Sequence, residues 1–174
     1  SHHDDLYGLL KYLDVEQAAI LGISHGGEIA IDFTLVYPQM VKALVLVAPA
    51  LGGYEFTDQA SNQKDAAIEK AYERGDIALA IELEAQLWVD GPQRTPDQVS
   101  PEVRARALEM IDYTYHLPED EGTPQSLDPP AISRLVEIKV PVQIIIGDYD
   151  MLDMLAIADL LATNVSGVEK VVMH

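Results

Sequence analysis

The run Gly22-Ile23-Ser24-His25-Gly26-Gly27 constrains this chain more than any other feature. The apolar stretch Ala18-Ala19-Ile20-Leu21 leads into it, and Glu28-Ile29-Ala30-Ile31-Asp32-Phe33 leads out. The first stretch reads as a strand and the second as a helix. A strand that turns straight into a helix across Gly-x-Ser-x-Gly holds its serine on a tight turn, proud of the sheet. Gly22 and Gly26 carry no Cβ, so the spacing predicts close approach of strand and helix on either side of Ser24. Ser24 is the candidate nucleophile. The backbone N–H of His25 is the candidate oxyanion donor, because it opens a helix whose N-terminus favours negative charge.

Around this turn the pattern is helix, strand, helix, strand. Asp4 or Asp5 is the expected cap of a first helix carrying Leu6, Leu9, Leu10 and Leu13 at helical spacing. Val15 to Ile23 reads as a buried strand, Gly27 to Tyr37 as a helix stopped by Pro38, and Ala43 to Ala48 as a second strand closed by Pro49. Continuous apolar runs of this kind suit parallel strands covered on both faces.

From Gly52 the character changes, and Thr57 to Leu135 contains no strand pattern. Ser61 to Arg74, Asp76 to Val89 and Pro101 to Tyr115 read as three helices, with Asp76 an N-cap of the second. Thr95-Pro96-Asp97 and Ser100-Pro101-Glu102 are helix-start signals. Val103, Ala107, Met110 and Ile111 form a stripe expected to be core. Glu119 to Pro130 reads as a Pro- and acid-rich loop. A strand from Val140 to Ile146, the turn Gly147-Asp148-Tyr149-Asp150, a helix from Met151 to Thr163 and a strand from Val168 to Met173 follow. The expected fold class is therefore α/β. Residues 1–53 and 136–174 would form a parallel sheet of about four strands, with the helical block 54–135 inserted as a lid.

Composition closes off several functions. A formal net charge of −18 argues against nucleic acid and anionic membranes as partners. The sequence has no cysteine, which excludes disulfides, thiolate metal sites and a cysteine nucleophile. No run is apolar for long enough to cross a bilayer, and Ser1-His2-His3-Asp4-Asp5 has no signal-peptide character, so a cytoplasmic location is expected. No metal cluster, phosphate loop or dinucleotide fingerprint is present, and no cofactor is expected.

These residues resemble the α/β-hydrolase fold family. Gly22-Ile23-Ser24-His25-Gly26-Gly27 matches its G-x-S-x-G-G elbow, and Tyr37-Pro38-Gln39-Met40-Val41-Lys42-Ala43-Leu44-Val45-Leu46 is similar to its passage from elbow helix to next strand. Val140 to Asp150 resembles its penultimate strand and acid turn, and the helical block falls where the family inserts a cap. The resemblance implies that Asp150, last residue of G-x-x-D, is the triad acid, with Asp148, its competitor for that role, capping or bracing the turn. It implies no cofactor and a small-molecule ester or related acyl substrate. The serine argues against the branches whose nucleophile is a carboxylate. The resemblance also places a second oxyanion donor in strands before Ser1, and the catalytic histidine in a loop beyond the last strand. His174 stands at that strand's end and is the candidate base within this sequence. The expectation is thus a hydrolase fragment whose open sheet edge favours self-association. The rival expectations are a small-molecule receptor with little turnover and an inactive fragment.

Overall fold

The computed structural model describes residues 1–118 and 125–174. The described residues divide into two compact units. One takes in Ser1–Glu55, residues 125–148 and Leu152–His174, and the other residues 56–118 and Tyr149–Met151.

The first unit is built on one parallel sheet in the order β1-β2-β3-β4, with β1 Ala18–Ile23, β2 Val41–Val47, β3 Val142–Gly147 and β4 Val168–Met173. Helix α1 (His2–Tyr12) precedes β1, α2 (His25–Val36) joins β1 to β2, and α6 (Leu152–Asn164) joins β3 to β4. The register pairs Gly22 with Leu46, Ile23 with Val47 and Gly147 with Met173. Val47 in turn pairs with Ile145, so Ile23 stands level with Ile145, and β3 runs two residues further, to Gly147, before Asp148. Ile31, Phe33, Leu44, Leu46, Ile144, Ile146, Ile157 and Leu161 are almost wholly buried between sheet and helices. Each such side chain contributes roughly 1.5–3 kcal/mol.

Two expectations change here. The first strand is not buried throughout: Leu21 and Ile23 are 61% and 60% exposed. β1 and β4 are the outer strands, so only β2 and β3 have neighbours on both sides among the described residues. Ser1 rather than Asp4 or Asp5 stands at the N-cap position of the first helix, and its side chain makes no capping bond. Asp4 instead accepts from the Tyr37 hydroxyl at 2.6 Å, and the Tyr7 ring stacks on Tyr37 at 4.4 Å, docking α1 on α2.

Residues 125–135, which the helical pattern joined to the inserted block, pack with the sheet unit. The Ile132 N–H donates to the Gly52 carbonyl at 3.0 Å, and Ala131 and Leu135 are buried. Of the acidic loop read from Glu119 to Pro130, residues 119–124 lie outside the described residues.

The second unit is helical: α3 Gln59–Glu73, α4 Ile77–Ala85, a π-helical turn Gln86–Asp90 and α5 Pro101–Tyr115. Asp58 caps α3 through the Ala60 and Ser61 N–H groups, and Asp76 caps α4 through that of Leu79. The Arg104 guanidinium grips the fully buried Asp90 carboxylate at 3.0 Å and reaches Glu82 at 2.7 Å. Removing the arginine would leave a buried charge unpaired, at a cost of about 3–5 kcal/mol. The stripe on α5 is not core: Val103 and Met110 are 56% and 58% exposed, and no α5 residue is buried. Arg104 ties the helix to Asp90 and Glu82, and the Tyr115 ring meets that of Tyr72 at 5.7 Å. Among the described residues no helix is long and apolar enough to cross a membrane.

Candidate active site

Ser24 is the hinge residue between β1 and α2, with φ 52° and ψ −122°. This conformation is strained for any residue but glycine, and it persists only where the surroundings over-determine it. They do so here. The Ser24 N–H donates to the Val47 carbonyl at 3.0 Å, and the Ser24 carbonyl accepts from the N–H groups of Gly27, Glu28 and Ala50. A serine at a helix N-cap ordinarily spends its hydroxyl on the first-turn N–H groups. Ser24 makes no such bond, and its side chain is exposed. Strand β2 thus fixes the backbone, and among the described residues the hydroxyl is uncommitted.

The close approach expected at Gly22 is present, and the second falls on Gly27 rather than on Gly26. A Cβ on Gly22 would stand 2.2 Å from the Gly26 carbonyl oxygen, and one on Gly27 would stand 2.6 Å from the Pro49 Cβ. A Cβ on Gly26 meets nothing within 4 Å among the described residues. The second close contact is Gly27 against Pro49, which packs the start of α2 on the end of β2.

His25 opens α2, where first-turn N–H groups have no intrahelical acceptor. Its side chain is turned along the helix, with Nδ1 3.2 Å from Glu28 Oε2 and the ring edge-on to His2 at 5.4 Å. This leaves the backbone N–H, not the imidazole, as what the position can offer an oxyanion.

Asp150 belongs to the second unit, in the segment Tyr149–Met151. Its Oδ1 accepts the Met151 N–H at 2.8 Å. Burial pushes its carboxyl above the usual range, and that hydrogen bond pulls the other way. The segment is tied to the π-helical turn. Arg94 donates to the Asp90 and Val89 carbonyls at 2.8 and 3.0 Å while its guanidinium lies 5.6 Å from the Tyr149 ring centroid. Gly91, at φ 76°, leaves room for the Tyr149 carbonyl, which a Cβ there would approach to 3.0 Å.

Asp148, by contrast, stays with the sheet. Its Oδ2 lies 2.9 Å from His174 Nδ1, and its N–H donates to the Met173 carbonyl. The histidine at the end of β4 is therefore held by Asp148 rather than by Asp150. The side chain of His174 is 84% exposed.

One ionisable group near the elbow escaped the sequence reading. Asp32, two turns along α2 from Ser24, is 7% exposed and its Oδ1 has no hydrogen-bond partner among the described residues. Burial, with Glu28 adding to it, pushes its carboxyl up to about 6, against the pull of Arg134 and His25. The signal was an acid placed inside the apolar run Ile29-Ala30-Ile31-Asp32-Phe33. The contacts of Arg94 were also missed, because they depend on the π-helical turn. Among the described residues no three histidine, aspartate or glutamate side chains converge as a metal site.

The alpha/beta hydrolase fold family model matches residues 1–173. A homoserine O-acetyltransferase of Thermus thermophilus is 52% identical over 46 residues, covering 26% of this chain and 12% of that protein. A 2-hydroxy-6-oxononadienedioate/2-hydroxy-6-oxononatrienedioate hydrolase of Paraburkholderia xenovorans is 48% identical over 48 residues, covering 28% of this chain and 17% of its own length. Among solved structures, a hydrolase from Pseudomonas aeruginosa superposes with a TM-score of 0.70 at 22% identity, covering 98% of this chain and 62% of that one. The chain thus spans about three fifths of that solved structure, and the matched segments are small parts of the curated relatives.

Proposed function

The chain belongs to the alpha/beta hydrolase fold family, and on that premise we propose that it is a serine hydrolase acting on a small ester or related acyl substrate. The observation that carries this reading is Ser24: a strained backbone, fixed by strand β2, that presents a hydroxyl engaged in no cap. Evolution retains such strain where it pre-organises chemistry.

In this mechanism Ser24 Oγ attacks the acyl carbon while a histidine, which the family resemblance puts in a loop beyond the last strand, takes its proton. The His25 N–H donates to the oxyanion, at the positive end of α2. The tetrahedral intermediate collapses, and the histidine returns the proton to the leaving alcohol. Water then adds to the acyl-enzyme, with the same histidine as base, and releases the acid and free Ser24. Asp150 is assigned as the acid that orients the histidine. His174 is read as a strand-end residue held by Asp148, given the contact at 2.9 Å. Residues 56–118 are read as the cap, which shapes the substrate pocket. The substrate is a small molecule, and the net charge of −18 disfavours polyanions.

A fluorophosphonate probe read by intact mass tests the reading. The parent should gain one label and Ser24→Ala none. Absence of labelling in a parent protein that carries that loop removes the hydrolase assignment. A second reading, transfer of the acyl group to an alcohol in place of water, is favoured by the segment 52% identical to the acetyltransferase. Product analysis with and without an added alcohol separates the two.

A further inference from the structure

Glu28 and Asp32 lie one turn apart on α2, and both line a cavity of about 30 Å³ within the sheet unit. Gln125 and Ser126 line it from the chain segment that returns to the sheet. The two carboxylates converge beside Gly52: a Cβ there would stand 3.4 Å from Glu28 Oε1 and 3.7 Å from Asp32 Oδ1. The missing side chain leaves that space open. Glu28 has a partner, since its Oε2 lies 3.2 Å from His25 Nδ1. Asp32 differs: it is 7% exposed, and its Oδ1 makes no hydrogen bond among the described residues. Arg134, whose charge acts on Asp32, is spent on Glu137 at 2.9 and 3.0 Å. One buried carboxylate is thus left without a counter-charge, a costly state for an ionised group taken out of water.

We propose that this cavity is a binding site for one monovalent metal cation of the size of sodium or potassium, held by the carboxylates of Asp32 and Glu28 with the side-chain oxygens of Gln125 and Ser126. Charge supports the occupant: Glu28 is paired with His25, so one negative charge is left to balance, and a divalent ion would leave an excess. Size does too. A cavity needs roughly 10–15 Å³ to hold one water, so this one admits a bare or singly hydrated ion and excludes an organic cation. The donors are oxygens, as hard cations require. The imidazoles nearby are engaged elsewhere: His25 Nδ1 on Glu28, His3 Nε2 on the Ser1 hydroxyl at 2.9 Å, and the His2 ring edge-on to His25. Burial holds the Asp32 carboxyl up to about 6, so at lower pH a proton takes the place of the ion. His2 and His3 from α1, and His25 from α2, face the cavity, and protonation of any of them would repel the ion in the same direction. The bound ion offsets part of the penalty that ionised Asp32 carries. It takes no part in the chemistry of Ser24, so the proposal stands apart from the hydrolase reading.

Thermal melts in sodium, potassium or choline chloride test the site. At equal ionic strength the three salts screen the net charge of −18 alike, and choline is too large for the cavity. A cation at about ten times its Kd should raise the melting temperature at pH 8 by roughly 3–6 °C over choline chloride. At pH 5 the difference should shrink to less than about 1 °C, because Asp32 then keeps its proton. Asp32→Asn should lose the difference at pH 8. Asp5→Asn, which removes the same charge from an exposed position on α1, should keep it. Equal melting of the parent in all three salts at pH 8 overturns the proposal and leaves the cavity to water. A difference that survives in Asp32→Asn overturns it too. So does a rise in calcium chloride that needs Asp32 while sodium and potassium give none, which assigns the cavity to a divalent ion.

Discussion

A β-carbon on Gly22 would lie 2.2 Å from the Gly26 carbonyl oxygen, while one on Gly26 would touch nothing within 4 Å. The two glycines that bracket Ser24 are thus unequal: the first is required by contact with the second, and the second is not required by contact with anything described. Gly22→Ala and Gly27→Ala should each lower stability by about 1–3 kcal/mol or more, because the obstructing atoms are backbone or a proline ring. Gly26→Ala should be neutral or stabilising by up to about 1 kcal/mol, since it sits in the first turn of α2. Urea unfolding of the three variants checks this. Equal destabilisation by all three would contradict the assignment.

Strain at Ser24 can be weighed separately from chemistry. Ser24→Gly relieves a positive φ that Ser24→Ala retains. The glycine variant should be more stable than the alanine variant by about 1–2 kcal/mol, offset in part by the added chain entropy of glycine. Both should fail to take a fluorophosphonate label. Thermal melts that rank alanine above glycine would show that the turn is unstrained.

Asp32 makes stability depend on pH in a defined direction. Its carboxyl is held up to about 6 in the folded chain, chiefly by burial, against about 3.9 in an unfolded one. Between these values the folded state keeps a proton that the unfolded state releases, so stability falls as pH rises from about 4 to about 6. Asp32→Asn removes this loss. The variant should match the parent near pH 4 and exceed it by about 2–3 kcal/mol at pH 7. A stability difference that stays constant across that range would show that Asp32 ionises normally.

The Asp148–His174 contact gives a further test. His174 is held by Asp148 and its side chain is 84% exposed, so His174→Ala should leave Ser24 labelling within about threefold of the parent. Asp150→Asn should instead slow labelling by several orders of magnitude, as loss of an orienting acid does. If His174→Ala abolished labelling and Asp150→Asn did not, the base and acid would be His174 and Asp148.

The elements were legible because their causes are local. Alternation of apolar runs with glycine and proline located β2, β3, β4 and α5 to within a few residues, and β4 and α5 end to end. The Asp76 cap was legible for the same reason, its acceptor and donor lying three residues apart. The first helix was legible but its start was not, since it begins at His2, which puts Asp4 and Asp5 inside its first turn. The stripe on α5 was misread because periodicity shows which residues share a face and not whether anything covers it.

The sequence alone determined the strand–turn–helix at Ser24, since steric limits on a few consecutive residues suffice to specify it. It also determined the parallel α/β order, because β-α-β runs with short connections admit few other arrangements. Tertiary structure decided which glycine meets which backbone, which aspartate holds His174, and that Asp32 loses its water. It also decided that Trp88 and Phe56 share a cavity with Met151. Each of these depends on segments far apart in the chain, whose meeting is set by burial and by the stacking of strand ends rather than by any neighbour in sequence.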